Sequence, residues 1–162
     1  MKKLSLAMLV VLVSVLTLTS TLTTVLAAPA TKEPFSATMA FSGMTAPPER
    51  LWTDEEGVEH ARGIGETFSI TGSIIGTVEL TVNSNFVYSG YSQSGDAQAK
   101  GTITSGEGVY LISVDVTIIT GTVSGTFVIH GTGSCKGIHI TGTLSSSAAG
   151  LVLEGTKLTT KP

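Results

Sequence analysis

The chain of 162 residues has a single cysteine, Cys135, so no internal disulfide can hold its fold. Charged residues make up only 13% of the sequence and aromatic residues only 6%. No basic patch interleaves with those aromatics, which excludes an ordinary nucleic-acid-binding surface. Nucleophile elbows, phosphate-binding loops and N-glycosylation sites are missing. Beyond the N-terminal segment no stretch keeps a helical period, so we expect almost no helix in the domain.

The N-terminal segment has the parts of a secretory signal. Two lysines precede an apolar run, which leads to Val25-Leu26-Ala27 with small residues at the positions that a signal peptidase reads. We predict a signal helix over residues 1–27 with cleavage after Ala27. Cleavage after Ala30 and a retained membrane anchor are the alternatives.

Removal of residues 1–27 leaves seven basic and twelve acidic residues, a net charge of −5. An acidic exported protein is poorly suited to phosphate backbones and anionic lipid surfaces, so we expect no nucleic acid and no membrane partner for the mature form.

Residues 28–34 contain two prolines and predict a flexible leader. The remaining residues 35–162 are long enough for one domain.

Alternating apolar and polar residues predict strands through most of that domain. The clearest strand covers 109–120, and a break near 83–85 and a turn near 94–96 separate others. Cys135 lies in a predicted turn, where we expect an exposed thiol. The pattern indicates an all-β fold of about eight antiparallel strands, in either a closed barrel or a sandwich. Glycines inside several strands favour the barrel, because closing a small sheet requires sharp coiling.

The C-terminal run SGTFVIHGTG…GIHITGTLSSSAAGLVLEGT joins a Gly-Thr-rich hairpin, a small-residue turn and a strand of the form Gly-Leu-x-x-x-Gly over 150–155. This run resembles the final strands of the small barrels related to allene oxide cyclase, including uncharacterised bacterial proteins. The resemblance covers about the last eighty residues. It implies a barrel and, by analogy, a cyclase or isomerase of lipid-like substrates. None of that family's functional positions is carried over to this chain.

His130 and His139 form one candidate site, which follows from strand register. Phe127 and Ile129 are odd-numbered, whereas Ile138 and Ile140 are even-numbered. An antiparallel hairpin that puts all four on one face also puts both histidines together on the other face. Two such imidazoles could hold Zn²⁺ or Cu²⁺ with a carboxylate as third ligand. Two solvated histidines are the alternative, and we predict no metal or other cofactor.

Other candidates are carboxylates and apolar side chains of the predicted interior. Glu66 shares the parity of Phe68, so it either points inward, as a candidate acid or base, or is turned outward by a bulge at Gly65. Phe68, Tyr110 and Ile112 are candidates for lining a ligand pocket. The acidic stretch 54–59 could bind Ca²⁺ or be solvated surface.

Three functions follow from these observations. The first is a secreted barrel that binds a small apolar ligand, and the second is a structural or adhesive cell-surface protein. The third is a cyclase or isomerase similar to allene oxide cyclase. We expect a binding protein rather than an enzyme, and the sequence leaves the oligomeric state open.

Overall fold

The computed structural model describes residues 30–89 and 92–160, so the predicted signal helix lies outside the described residues. Apart from one 3₁₀ turn at Gly133–Cys135, the elements are strands. Nothing helical in these two ranges is long and apolar enough to cross a membrane. In chain order the strands are β1 Thr31–Ala46, β2 Arg50–Thr53, β3 Glu59–Gly72, β4 Gly76–Ser89, β5 Ser92–Ser105, β6 Gly108–Ile119, β7 Thr122–Gly131, β8 Ile138–Ser147 and β9 Gly150–Thr159.

The strands form one antiparallel sheet that closes on itself. From β3 to β9 each strand pairs with its sequence neighbour, and β1 pairs with both β9 and β3. β2 pairs with residues 59–62 of β3, just beyond the part that pairs with β1. It therefore continues the line of β1 after Pro47 and Pro48, which cannot donate to the ladder. The predicted all-β, closed antiparallel barrel of eight strands is confirmed, with β2 as one extra strand.

β1 begins four residues earlier than the sequence predicts. Residues 31–34, which we expected to be a flexible leader, pair with Lys157 and its neighbours on β9. Pro34 is tolerated in this strand because the ladder between β1 and β3 begins only at Ala37, so one edge of β1 is free at Pro34. The barrel therefore includes most of the predicted leader.

β4 and β5 also differ from the sequence prediction. They pair without interruption from Gly76 opposite Ser105 to Ser89 opposite Ser92. The break expected at residues 83–85 and the turn expected at residues 94–96 are therefore wrong, since both stretches lie within this ladder. Continuous cross-strand pairing outweighs the local turn preference of Asn, Gly and Asp here.

Buried side chains form the core at the end of the barrel that carries the β3–β4, β5–β6 and β7–β8 connections. Tyr110, Ile103 and Ile129 are fully buried there, and the loop residues Ile74 and Cys135 belong to the same cluster. Cys135 is 3% exposed, so the expected exposed thiol is wrong. The 3₁₀ turn carries its Sγ inward, where it donates a hydrogen bond to the Glu107 carbonyl at 3.4 Å.

Two glycines let two phenyl rings meet inside the barrel. Phe127, Gly142, Gly155 and Phe35 are cross-strand partners in a row over β7, β8, β9 and β1. The two ring centroids lie 5.8 Å apart across the intervening glycines. A Cβ on Gly142 would run into the carbonyl oxygen of Glu154 on the next strand. The close approach of β8 and β9 therefore requires glycine at this position.

Candidate functional site

The opposite end of the barrel interior is not filled and holds a cavity of about 290 Å³. Side chains near the β4–β5, β6–β7 and β8–β9 connections line it, and most of them are apolar. The apolar wall includes Ile64, Phe68, Val82, Val114, Val116 and Leu151. Three polar residues also line it: Glu66, Ser84 and Gln93. An apolar cavity with a few polar groups is the usual form of a small-molecule site.

The cavity exists because β5 contributes very little volume to the interior. Its cavity-lining residues include Ala97 and Ala99, and Gly101 follows them. The partners of the two alanines on β6 are Val116 and Val114. Sequence analysis did not identify the two alanines, although small residues at alternate inward positions of one strand are a readable signal of unfilled interior.

The predicted ligand-lining residues fall in two places. Phe68 lines the cavity, and the ring of Phe41 packs edge-on against it with centroids 5.5 Å apart. Phe41 is 59% exposed, so it extends the Phe68 wall toward solvent. Tyr110 and Ile112 are buried in the packed core and are not among the cavity-lining residues. Burial, followed by contacts with Cys135 and Glu107, raises the pKa of Tyr110.

Glu66 lies on the cavity wall, which is the inward one of the two orientations that the sequence left open. The register shift in the β3–β4 ladder falls between Ala61 and Ile64, and Gly63 within it has φ +73°. The bulge therefore precedes Ile64 and leaves the alternation intact through Ile70. Burial raises the pKa of the half-buried Glu66 carboxyl, because the charged form loses hydration in the apolar cavity.

His130 and His139 face each other directly in the β7–β8 ladder, as the register argument predicts. Their Nδ1 atoms are 2.9 Å apart on the outer surface, where His130 is exposed and His139 is half-buried. Leu111 and Leu158 are their outer cross-strand neighbours. No cluster of three or more His, Cys, Asp or Glu suited to a metal occurs within residues 30–89 and 92–160. The pair therefore lacks the third protein ligand that the sequence hypothesis included.

A polar network on the outside of β3 is the feature that sequence analysis missed. His60 places Nδ1 2.8 Å from Asn85 Oδ1 and Nε2 2.9 Å from Asp54 Oδ2. Arg62 also donates to Asn85 Oδ1, and Asn85 Nδ2 donates to Asp96. Both imidazole nitrogens therefore face acceptors, and only the doubly protonated ring can donate to both.

The same network accounts for the acidic stretch 54–59. Asp54 Oδ1 accepts hydrogen bonds from the amides of Glu56 and Val58, while its Oδ2 accepts one from His60. Asp54 thus organises its own turn, and Trp52 on β2 stacks on the His60 ring with centroids 4.8 Å apart. Both oxygens of Asp54 are engaged within the protein, which argues against the Ca²⁺ hypothesis for this stretch.

His60 is expected to titrate above the usual histidine pKa of about 6.5. The hydrogen bond to Asp54, and then that to Asn85, raise the pKa of His60. Its contribution to stability is therefore complete below about pH 6.5 and is lost as pH rises through the higher folded-state pKa. NMR titration of the His60 ring should show a pKa above that of an ordinary histidine, and Asp54→Asn should lower the pKa of His60. Glu55→Gln, which removes an exposed charge one residue away, should leave it unchanged; equal effects would contradict the assignment.

Comparison with known proteins adds no family assignment: no protein-family model and no curated protein matches the chain. Functional inference therefore depends on the geometry of the cavity and its lining.

Proposed function

We propose that this protein binds a small molecule with an apolar body in the open end of its barrel. The observation that supports this most directly is the largely apolar cavity of about 290 Å³ in the barrel interior, opposite the end where the core residues are buried. At ~30 Å³ per water molecule this is the space of about ten waters. The size fits a molecule of roughly ten non-hydrogen atoms and is at the lower limit of ligand pockets. A long-chain fatty acid would extend into solvent.

The affinity of such a ligand follows from the apolar area that it buries. Each buried CH₂ group contributes about 0.8 kcal/mol, so an eight-carbon chain supplies about 6 kcal/mol. Loss of translational and rotational freedom opposes this gain. Because about 6 kcal/mol alone corresponds to a dissociation constant of tens of micromolar, the opposing loss places the expected dissociation constants in the millimolar range.

Titration with 1-octanol tests the proposal, because its nine non-hydrogen atoms match the cavity. Isothermal titration calorimetry at several temperatures should show saturable binding of about one molecule per barrel, with a negative heat-capacity change from apolar burial. Octanol heats that stay unsaturated up to its solubility limit, together with an unchanged thermal midpoint of the protein, would contradict the proposal.

A second candidate is the cyclase or isomerase activity that the resemblance to allene oxide cyclase barrels implies. The closed eight-stranded barrel is compatible with it. Its specific support is Glu66, a carboxyl whose pKa is raised by burial at the wall of an apolar cavity, as is common for acid–base groups. An apolar cavity can also hold a reactive substrate in the conformation that leads to product. Glu66→Gln would remove the one acidic group within the described lining.

Export is part of the same proposal. The first residue pair of the barrel joins Thr31 to Thr159, so cleavage after Ala27 would leave every strand pair of the structure intact.

The structural or adhesive alternative predicts strong self-association, which sedimentation of the purified protein would reveal. A monomeric protein that binds octanol would favour the ligand-binding function.

A further inference from the structure

Among the described residues that line the interior cavity, Glu66 is the one ionisable group. Glu66 lies on β3 between Met44 of β1 and Leu80 of β4. The other polar groups on the described wall, Ser84 and Gln93, are uncharged. Within residues 30–89 and 92–160, no hydrogen bond or ion pair of the protein involves the Glu66 carboxyl. Of the groups in the described part of the chain, none pairs with this charge, and solvent that reaches the cavity hydrates it.

A ligand that fills the cavity displaces that solvent, and its chemistry decides what happens to the carboxylate. A purely apolar molecule would strip water from Glu66 without replacing the lost hydrogen bonds, which disfavours binding. A carboxylate ligand would add a like charge at short range. An ammonium group would donate a charge-assisted hydrogen bond to the carboxylate, and such bonds are about twice as strong as neutral ones.

A second glutamate, Glu79, lies on the outer surface of the barrel and serves as a comparison for Glu66. Glu79 lies on the neighbouring strand β4, opposite Thr67 and Thr102, and is exposed to solvent. Its charge is hydrated and faces away from the cavity. Two glutamates on adjacent strands thus differ mainly in which face of the sheet they occupy, and only Glu66 can contact a molecule in the cavity.

We infer that the ligand is a small cationic amphiphile, with an amine group held by Glu66 and an apolar body of about eight carbons in the cavity. This inference rests on the proposed ligand-binding function and adds the chemical class of the ligand. The amine would lie near Glu66, and the chain would pack against Phe68, Val82 and Val114.

Three probes of equal chain length test the inference by calorimetry at pH 7 and 0.15 M salt: octylamine, 1-octanol and octanoate. Octylamine should bind at least tenfold tighter than octanol, and octanoate should bind weakest. Glu66→Gln should remove the preference, so that octylamine and octanol bind this variant with about equal affinity. Glu79→Gln removes the same charge from the outer surface and should leave the order of the three probes unchanged.

The outcomes separate the inference from the proposed function. Octanol binding with no preference for octylamine would overturn the amine assignment and leave the binding function standing. Octylamine affinity that falls equally in Glu66→Gln and Glu79→Gln would also overturn it, because the preference would then reflect the net acidity of the protein. Binding of none of the three probes would overturn the binding function itself.

Discussion

Replacing Gly142 with alanine is expected to lower the free energy of unfolding by about 2–3 kcal/mol, the upper part of the range for overpacked interiors. The added Cβ would meet the carbonyl oxygen of Glu154 and the Cα of Gly155. Relief requires β8 and β9 to separate, which would also part the Phe35 and Phe127 rings that meet over the glycines. The urea midpoint measures the loss.

Gly106→Ala is the matched control for this experiment. Gly106 lies in the β5–β6 turn, and an added Cβ there meets nothing within 4 Å. Its substitution should change stability by no more than about 1 kcal/mol, and reduced freedom of the unfolded chain favours a small gain. If Gly142→Ala were as stable as Gly106→Ala, the close approach of β8 and β9 would not be a requirement of the fold.

Filling the cavity should abolish octanol binding while the barrel stays folded. Ala99→Phe places a phenyl ring in the cavity, between Val82 of β4 and Val114 of β6. Because this ring takes space that the octyl chain needs, we expect affinity to fall at least about 30-fold, or about 2 kcal/mol. The thermal midpoint should be unchanged or higher, since the ring gains contacts with walls that otherwise have no partner.

Gln98→Phe provides the control, because residue 98 is exposed on the outer face of the same strand. It adds the same ring outside the barrel and should leave octanol affinity within about twofold. Should Ala99→Phe lower the thermal midpoint, Ala97→Leu offers a smaller change at the next inward position of β5. A folded variant of either alanine that binds octanol as tightly as the parent would place the ligand elsewhere.

Features that depend on the strict alternation of inward and outward side chains along a strand could be predicted from the sequence. The β6 residues Tyr110, Ile112 and Val114 are all buried on one face, as their parity predicts. The facing of His130 and His139 also follows from parity, because a one-residue slip would move whole strands to the wrong face. The inward direction of Glu66 depended on where a bulge would fall, and parity alone left that open.

Features that depend on contacts distant in sequence could not be predicted. Cys135 is buried because its turn folds against Glu107 on a neighbouring connection, which no local pattern shows. The residues of the His60 network come from β3, β4, β5 and the turn after β2. Whether the interior is packed or hollow depends on side-chain volumes summed across facing strands. Such a sum becomes available only when the register of every strand is known.

The position of β1 has a consequence for the order of folding. From β3 onward each strand pairs with the one made just before it, so hairpins can form in sequence as the chain grows. The pairing of residues 31–39 with residues 151–159 is different, because it joins the two ends of the domain. Loop-closure entropy makes such a distant contact slow to form. We therefore expect the seam between β1 and β9 to close last, and until it closes the interior would be accessible from the side as well as from the end.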